Sequence, residues 1–204
     1  MKRRVALASL AALALVACGN DEPQTAPTVA PSTTRATTTS SSSTTSSTTT
    51  TLPPTTTTEP LPVPLPPPDP HADEPIVEVG ILEIPKIEVT KTMFEGVSLT
   101  VLDHGPGHWP GTAMPGHRGN VVIAGHRTSH DRPFRRLDEL VPGDEMFLST
   151  LEGRFRYLVV STEVVDPTAI RIIEQRDGHT ATLFACHPPG STRERIVVHL
   201  ELAD

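Results

Sequence analysis

The chain has 204 residues, enough for one domain with appendages. A formal net charge of −7 argues against a general nucleic-acid binder, which presents a basic face, and 3% aromatic residues leave little for base stacking. Two cysteines, Cys18 and Cys186, are too few for a small exported domain held by disulfides.

Residues 1–18 carry the pattern of an export signal. Lys2-Arg3-Arg4 precedes an apolar run from Val5 to Ala17, too short to span a membrane comfortably, which takes roughly 20 residues. The run ends in Leu15-Val16-Ala17-Cys18, which resembles the bacterial lipobox. That resemblance implies that Cys18 is lipidated and becomes the mature N-terminus, anchoring an exported, extracytoplasmic chain to the outer face of the cell membrane. An uncleaved signal anchor with an incidental cysteine is the alternative.

Residues 19–73 are Thr, Ser and Pro with almost no large apolar side chains. Such a segment buries too little apolar area to offset the entropy of ordering, so a disordered stalk is expected. Its proline-rich part, Pro60 to Pro70, should be extended, at ~3.1 Å per residue where it adopts polyproline II. The Ser/Thr/Pro composition also suits O-glycosylation.

Residues 74–204 form the folded domain. Short β-rich segments run from Ile76 to Ile84, Asn120 to Gly125, Glu145 to Thr150, Gly153 to Val165, Thr180 to Ala185 and Arg195 to Leu202. Gly/Pro turns separate most of them, as at Gly105 to Gly119, Pro142-Gly143-Asp144 and Pro188-Pro189-Gly190. Helical signal is brief, around Pro133 to Leu140 and Thr168 to Glu174. The expectation is a mostly β barrel or sandwich with one or two short helices.

If lipid consumes Cys18, Cys186 has no disulfide partner, and a lone thiol in an oxidising compartment is easiest to explain if it reacts. Thiol chemistry needs a thiolate, a proton carrier and an oxyanion donor. Cys186 ends one predicted strand, His126 follows another, and Arg195 opens the last. Strand ends beside loops both hold and expose reactive groups.

These residues resemble the sortase family. Thr182-Leu183-Phe184-Ala185-Cys186 is similar to its Thr-Leu-X-Thr-Cys signature, with Ala185 in place of the usual threonine. Ala124-Gly125-His126-Arg127 resembles the strand end carrying its histidine, and Arg195-Ile196-Val197-Val198 the strand opened by its arginine. Gly107 to Ala113 looks like the actinobacterial class E sortases. The resemblance covers Ile81 to Leu202 and implies a closed sortase-type β-barrel. It also implies a cysteine transpeptidase that cleaves an LPXTG- or LAXTG-like sorting signal between Thr and Gly. Catalytic roles fall to Cys186, His126 and Arg195. The implied partners are secreted proteins bearing sorting signals and a peptidoglycan amine as acceptor; a monomer is expected, with no nucleic acid and no cofactor.

Other readings compete. His126 and His130 are four apart, but a helix there is interrupted by Pro133, so no metal is assigned. The same holds for Asp138, Glu139, Asp144 and Glu145, read as ordinary surface carboxylates. His187 should point away from Cys186 and be exposed. Arg193 competes with Arg195, which abuts the apolar strand. Rival functions are an L,D-transpeptidase-like wall enzyme, whose Ser-X-Gly before the cysteine is Leu183-Phe184-Ala185 here, and a non-catalytic stalked lipoprotein binding module.

Overall fold

Alternation of apolar side chains over the last 120 residues or so dictates strands with one face inward, and the computed structural model closes them into a barrel. It describes residues 60–203. The signal segment, Cys18 and the stalk up to residue 59 lie outside the described residues. The strands are β1 (Glu78–Ile84), β2 (Val89–Glu95), β3 (Gly107–His108), β4 (Gly119–Ala124), β5 (Glu145–Thr150), β6 (Gly153–Val165), β7 (His179–His187) and β8 (Glu194–Leu202). Their order around the barrel is β1-β2-β3-β4-β7-β8-β6-β5, and β5 pairs back onto β1.

Most ladders are antiparallel, but β2 pairs with β3 in parallel, and so does β4 with β7, with Ala124 opposite Phe184. That pairing needs a long crossover, and the β5–β6 hairpin lies within it. The interior is filled by Leu82, Ile84, Met93, Ile123, Leu148, Leu183, Val198, Leu200 and their neighbours. Burying such side chains is worth about 1.5–3 kcal/mol each, far above the 0–1 kcal/mol of the exposed ion pairs that stud the outside. The barrel is held from within.

On the outer face, β4 is covered as well. Val122, Val165, Ile172, Ile173 and Val197 form a second buried cluster, with Trp109 and Phe184 packed against it. This explains why β4 is apolar on both faces. One short helix, α1 (Leu99–Leu102), is capped by Ser98, whose hydroxyl accepts from the Val101 N–H.

β5 and β6 lie where the sequence predicts. β2, β3 and α1 are additional elements. The expected short helices shrink to single 3-10 turns at Leu137–Glu139 and Ile170–Ile173.

Residues 60–73, the end of the expected stalk, lie against the barrel. The Leu65 N–H donates to Pro110 O at 2.9 Å, Trp109 Nε1–H donates to Leu65 O at 2.8 Å, and the Leu99 N–H donates to Pro70 O at 2.7 Å. A side chain at Gly111 would put its Cβ 2.3 Å from Val63 O, so only glycine permits this approach. Leu65 and Pro70 supply the carbonyl acceptors, and the prolines a pre-extended backbone, which lowers the entropic cost of docking the segment.

Candidate active site

Register brings three side chains to one place on the outer wall. Cys186 on β7 is directly opposite Arg195 on β8, so both project from the same face. Across the parallel ladder, His126 and Cys186 each lie two residues beyond the paired Ala124 and Phe184, the period that keeps side chains on one side. All three line a groove of about 420 Å³, with Trp109, Phe184, Pro67 and Pro68 among its walls. Cys186 is a free thiol and half-buried, held by its strand yet open to the groove.

The same alternation explains the altered signature residue. Ala185 points inward with Leu183 and is part of the core, so the change from threonine alters the barrel interior rather than the groove wall.

His126 sits beyond the end of β4 and is positioned by side chains rather than by a ladder. Its Nε2 lies 2.8 Å from Asp103 Oδ1, at the end of α1. Donation from Nε2–H to that carboxylate leaves Nδ1 as the nitrogen able to exchange a proton. His130 Nδ1 is 3.1 Å from the same oxygen, and the two imidazoles stack with centroids 5.2 Å apart. Behind His126, the Phe134 N–H donates to His126 O at 3.1 Å. A Cβ on Gly125 would fall 2.6 Å from the Phe134 ring, so the turn out of β4 depends on that glycine.

Asp103 was not singled out by the sequence. No motif marks it, and it reaches His126 from the C-terminal end of α1, which packs beside β2. The four-residue spacing of His126 and His130 does bring their rings together, through a loop with His130 at φ +51° rather than through a helix. Asp103, His126 and His130 have donor atoms within 4.8 Å of one another, the only such set of three among the described residues.

Arg127 borders the groove but is buried. Its Nη1 donates to His187 Nδ1 at 2.6 Å. Its Nη2 is 2.8 Å from Asp138 Oδ1, close enough for an ion pair but not aligned as a hydrogen bond. His187 is therefore half-buried and engaged rather than the exposed polar residue expected, because strand alternation turns it toward Arg127. The carboxylates Glu139, Asp144 and Glu145 are likewise engaged, by Arg136, the Val141 N–H and Arg156. Arg195 lines the groove, with Nη1 donating to Thr192 O and Glu194 O. Arg193 is exposed and borders a separate cavity beside Pro188.

Comparison with known proteins agrees with this architecture. A sortase D of Bacillus subtilis is 36% identical over 124 residues, covering 59% of this chain and 61% of that protein. Sortase SrtE1 of Streptomyces coelicolor is 33% identical over 145 residues, covering 63% of this chain and 41% of that protein. The chain thus spans less than two thirds of the length of these curated relatives. Among solved structures, sortase E1 from Streptomyces coelicolor with a tripeptide in its active site superposes with a TM-score of 0.60 at 30% identity, covering 63% of this chain and 89% of that one. A Clostridium perfringens sortase D5 transpeptidase gives 0.58 at 34% identity, covering 62% and 79%. The sortase domain family matches residues 82–203, the whole of the barrel from within β1 to the end of β8, and the chain belongs to the sortase family.

Proposed function

We propose that the chain is a cysteine transpeptidase that cleaves a sorting signal of the Leu-Pro-X-Thr-Gly or Leu-Ala-X-Thr-Gly kind. One observation carries the reading: on a barrel of the sortase family, a free thiol, an imidazole and a guanidinium line a single groove.

In the first step Cys186 Sγ, as the thiolate, attacks the threonine carbonyl carbon. The C–N bond to glycine breaks, the departing amine takes a proton from His126, and a thioester remains. In the second, an acceptor amine attacks the thioester and gives a proton to His126, and the thiolate leaves as the new amide forms. Water in place of the amine gives hydrolysis. A guanidinium has five N–H donors, and the bonds from Nη1 leave others for the oxyanion that forms at the carbonyl in both steps. Asp103 orients the imidazole through Nε2, which leaves Nδ1 to hold the proton that the departing amine takes.

The substrates are secreted proteins bearing the signal, and the acceptor is an amino group of peptidoglycan or its precursor. The chain acts as a monomer outside the cytoplasm, held at the membrane through lipid on Cys18. A quenched sorting-signal peptide tests the activity: turnover with thioester detectable by mass spectrometry supports it, and full turnover by Cys186→Ala overturns it. Release of hydrophobic-phase partitioning by Cys18→Ala tests the anchor.

A further inference from the structure

The cluster beside the thiol contains more ligand chemistry than a transpeptidase requires. Asp103 Oδ1, His126 Nε2 and His130 Nδ1 converge from two separate stretches of chain, with both nitrogens within 3.1 Å of the one carboxylate oxygen. A proton-relay histidine needs one partner. Here a second imidazole is aimed at the same oxygen from a residue held at φ +51°, in the left-handed region where histidine, asparagine and aspartate are the non-glycine residues most often found. The neighbouring Asp131 is turned outward and occupied by the Lys91 ammonium at 2.7 Å, so it does not compete for this point.

We propose that Asp103, His126 and His130 form a reversible zinc site that holds the active-site histidine. Two imidazole nitrogens and one carboxylate oxygen are a donor set that suits Zn²⁺ and does not suit Ca²⁺ or Mg²⁺, which take oxygen ligands. Zinc sits at about 2.0–2.2 Å from such atoms in tetrahedral geometry, which sets the ligands roughly 3.3 Å apart. The two nitrogens lie 2.8 and 3.1 Å from Asp103 Oδ1 and all three donor atoms are within 4.8 Å of one another, so modest shifts of part-exposed side chains bring them to that spacing. The fourth position is left to water. Both imidazoles must be neutral to bind, so zinc displaces the proton from the nitrogen that donates to Asp103. The metal then replaces Asp103 as the partner of His126 and withdraws the ring from proton transfer.

Binding rests on geometry alone. Only its consequence for turnover rests on the transpeptidase reading, and the two are measured separately. The full chain carrying Cys186→Ala is titrated with Co²⁺, whose visible absorption reports tetrahedral coordination, and Zn²⁺ is used to displace it. The expected result is one equivalent of tetrahedral Co²⁺, displaced by Zn²⁺, with affinity at least tenfold weaker when His130→Asn is added. Asparagine tolerates the left-handed backbone, so this change removes the ligand without straining the loop. Absence of the band in the Cys186→Ala chain, or equal affinity after His130→Asn, would overturn the site. A band that requires Cys186 would also overturn it, assigning the metal to the thiolate instead. On the chain with Cys186 intact, Zn²⁺ should stop peptide cleavage, a chelator should restore it, and His130→Asn should raise the concentration needed at least tenfold. No cleavage under any condition would defeat the transpeptidase reading while leaving the spectroscopic result standing.

Discussion

The two sides of the groove are built differently. Cys186 and Arg195 stand opposite each other in an antiparallel ladder whose inward faces are core, so their positions are fixed by backbone hydrogen bonds and packing. His126 stands past the end of its strand, and its place depends on a glycine without room for a methyl group, on Phe134 behind it and on Asp103 in front. A ladder resists displacement of a residue through many cooperating bonds, whereas a loop residue is only as well placed as its few contacts. The thiol side is rigid by architecture, and the imidazole side is adjustable by side chains.

Substitutions test that asymmetry. On the ladder side, Arg195→Lys keeps the charge but loses the planar fork. The turnover of a sorting peptide should fall by about 10²–10³-fold, as when one oxyanion donor is removed, with the melting temperature little changed; a loss under threefold would mean that Arg195 does not contact the reacting carbonyl. On the loop side, Gly125→Ala forces the Phe134 ring or the turn to move. It should cost about 1–3 kcal/mol in stability and up to about 100-fold in turnover, the scale of a 1 Å misplacement. Denaturant unfolding and steady-state kinetics read the two effects.

A subtler probe is Asp103→Asn, which keeps a polar partner for His126 but removes the charge. It should lower kcat by about tenfold with KM unchanged, and Asp103→Glu should restore part of it. A change confined to KM would make Asp103 a substrate contact instead of a support for the histidine.

The smallest effect lies outside the groove. Glu163 accepts from both nitrogens of the Arg171 fork and from His199 Nε2, and its carboxyl is held down to about 2, with the Arg171 hydrogen bonds as the main cause. A depressed carboxyl stabilises the fold above its unfolded value near 4.5, and that stabilisation is lost as pH falls through about 2. Glu163→Gln should lower the melting temperature by about 1–4 °C at neutral pH. The difference from the unsubstituted chain should shrink on acidification below about pH 4.5 while peptide turnover at neutral pH stays unaltered. It serves as the control for changes that touch neither side of the groove.

How much of this could be read from the residues follows the same division. β5 and β6 begin and end as the Gly/Pro punctuation and alternation indicate, and the strand ends at Cys186 and Arg195 are plain in Leu183 to Val198 because a ladder writes itself as local pattern. β2 is less legible: Thr90, Lys91 and Thr92 interrupt its apolar positions, and only pairing with β1 makes it a strand. Asp103 is illegible, since its partner lies 23 residues away and the contact exists only once α1, packed beside β2, is in place. His187 misleads for a related reason: alternation correctly turns it from Cys186, but the buried guanidinium it meets there belongs to a residue 60 positions earlier. Residues 60–73 look like free stalk because composition says nothing of the carbonyl acceptors they offer to Trp109 and Leu99.

The parallel pairing of β4 with β7 has a kinetic consequence. Partners such as Ala124 and Phe184 are sixty positions apart, and no shorter pairing joins these two strands. Closing so long a loop costs entropy before the new contacts compensate it, which makes such pairings slow to form. His126 and Cys186 therefore meet only when β4 and β7 pair, and a chain without that pairing has the thiol but not the His126 imidazole beside it. The groove is thereby completed late in folding, with the pairing that closes the barrel.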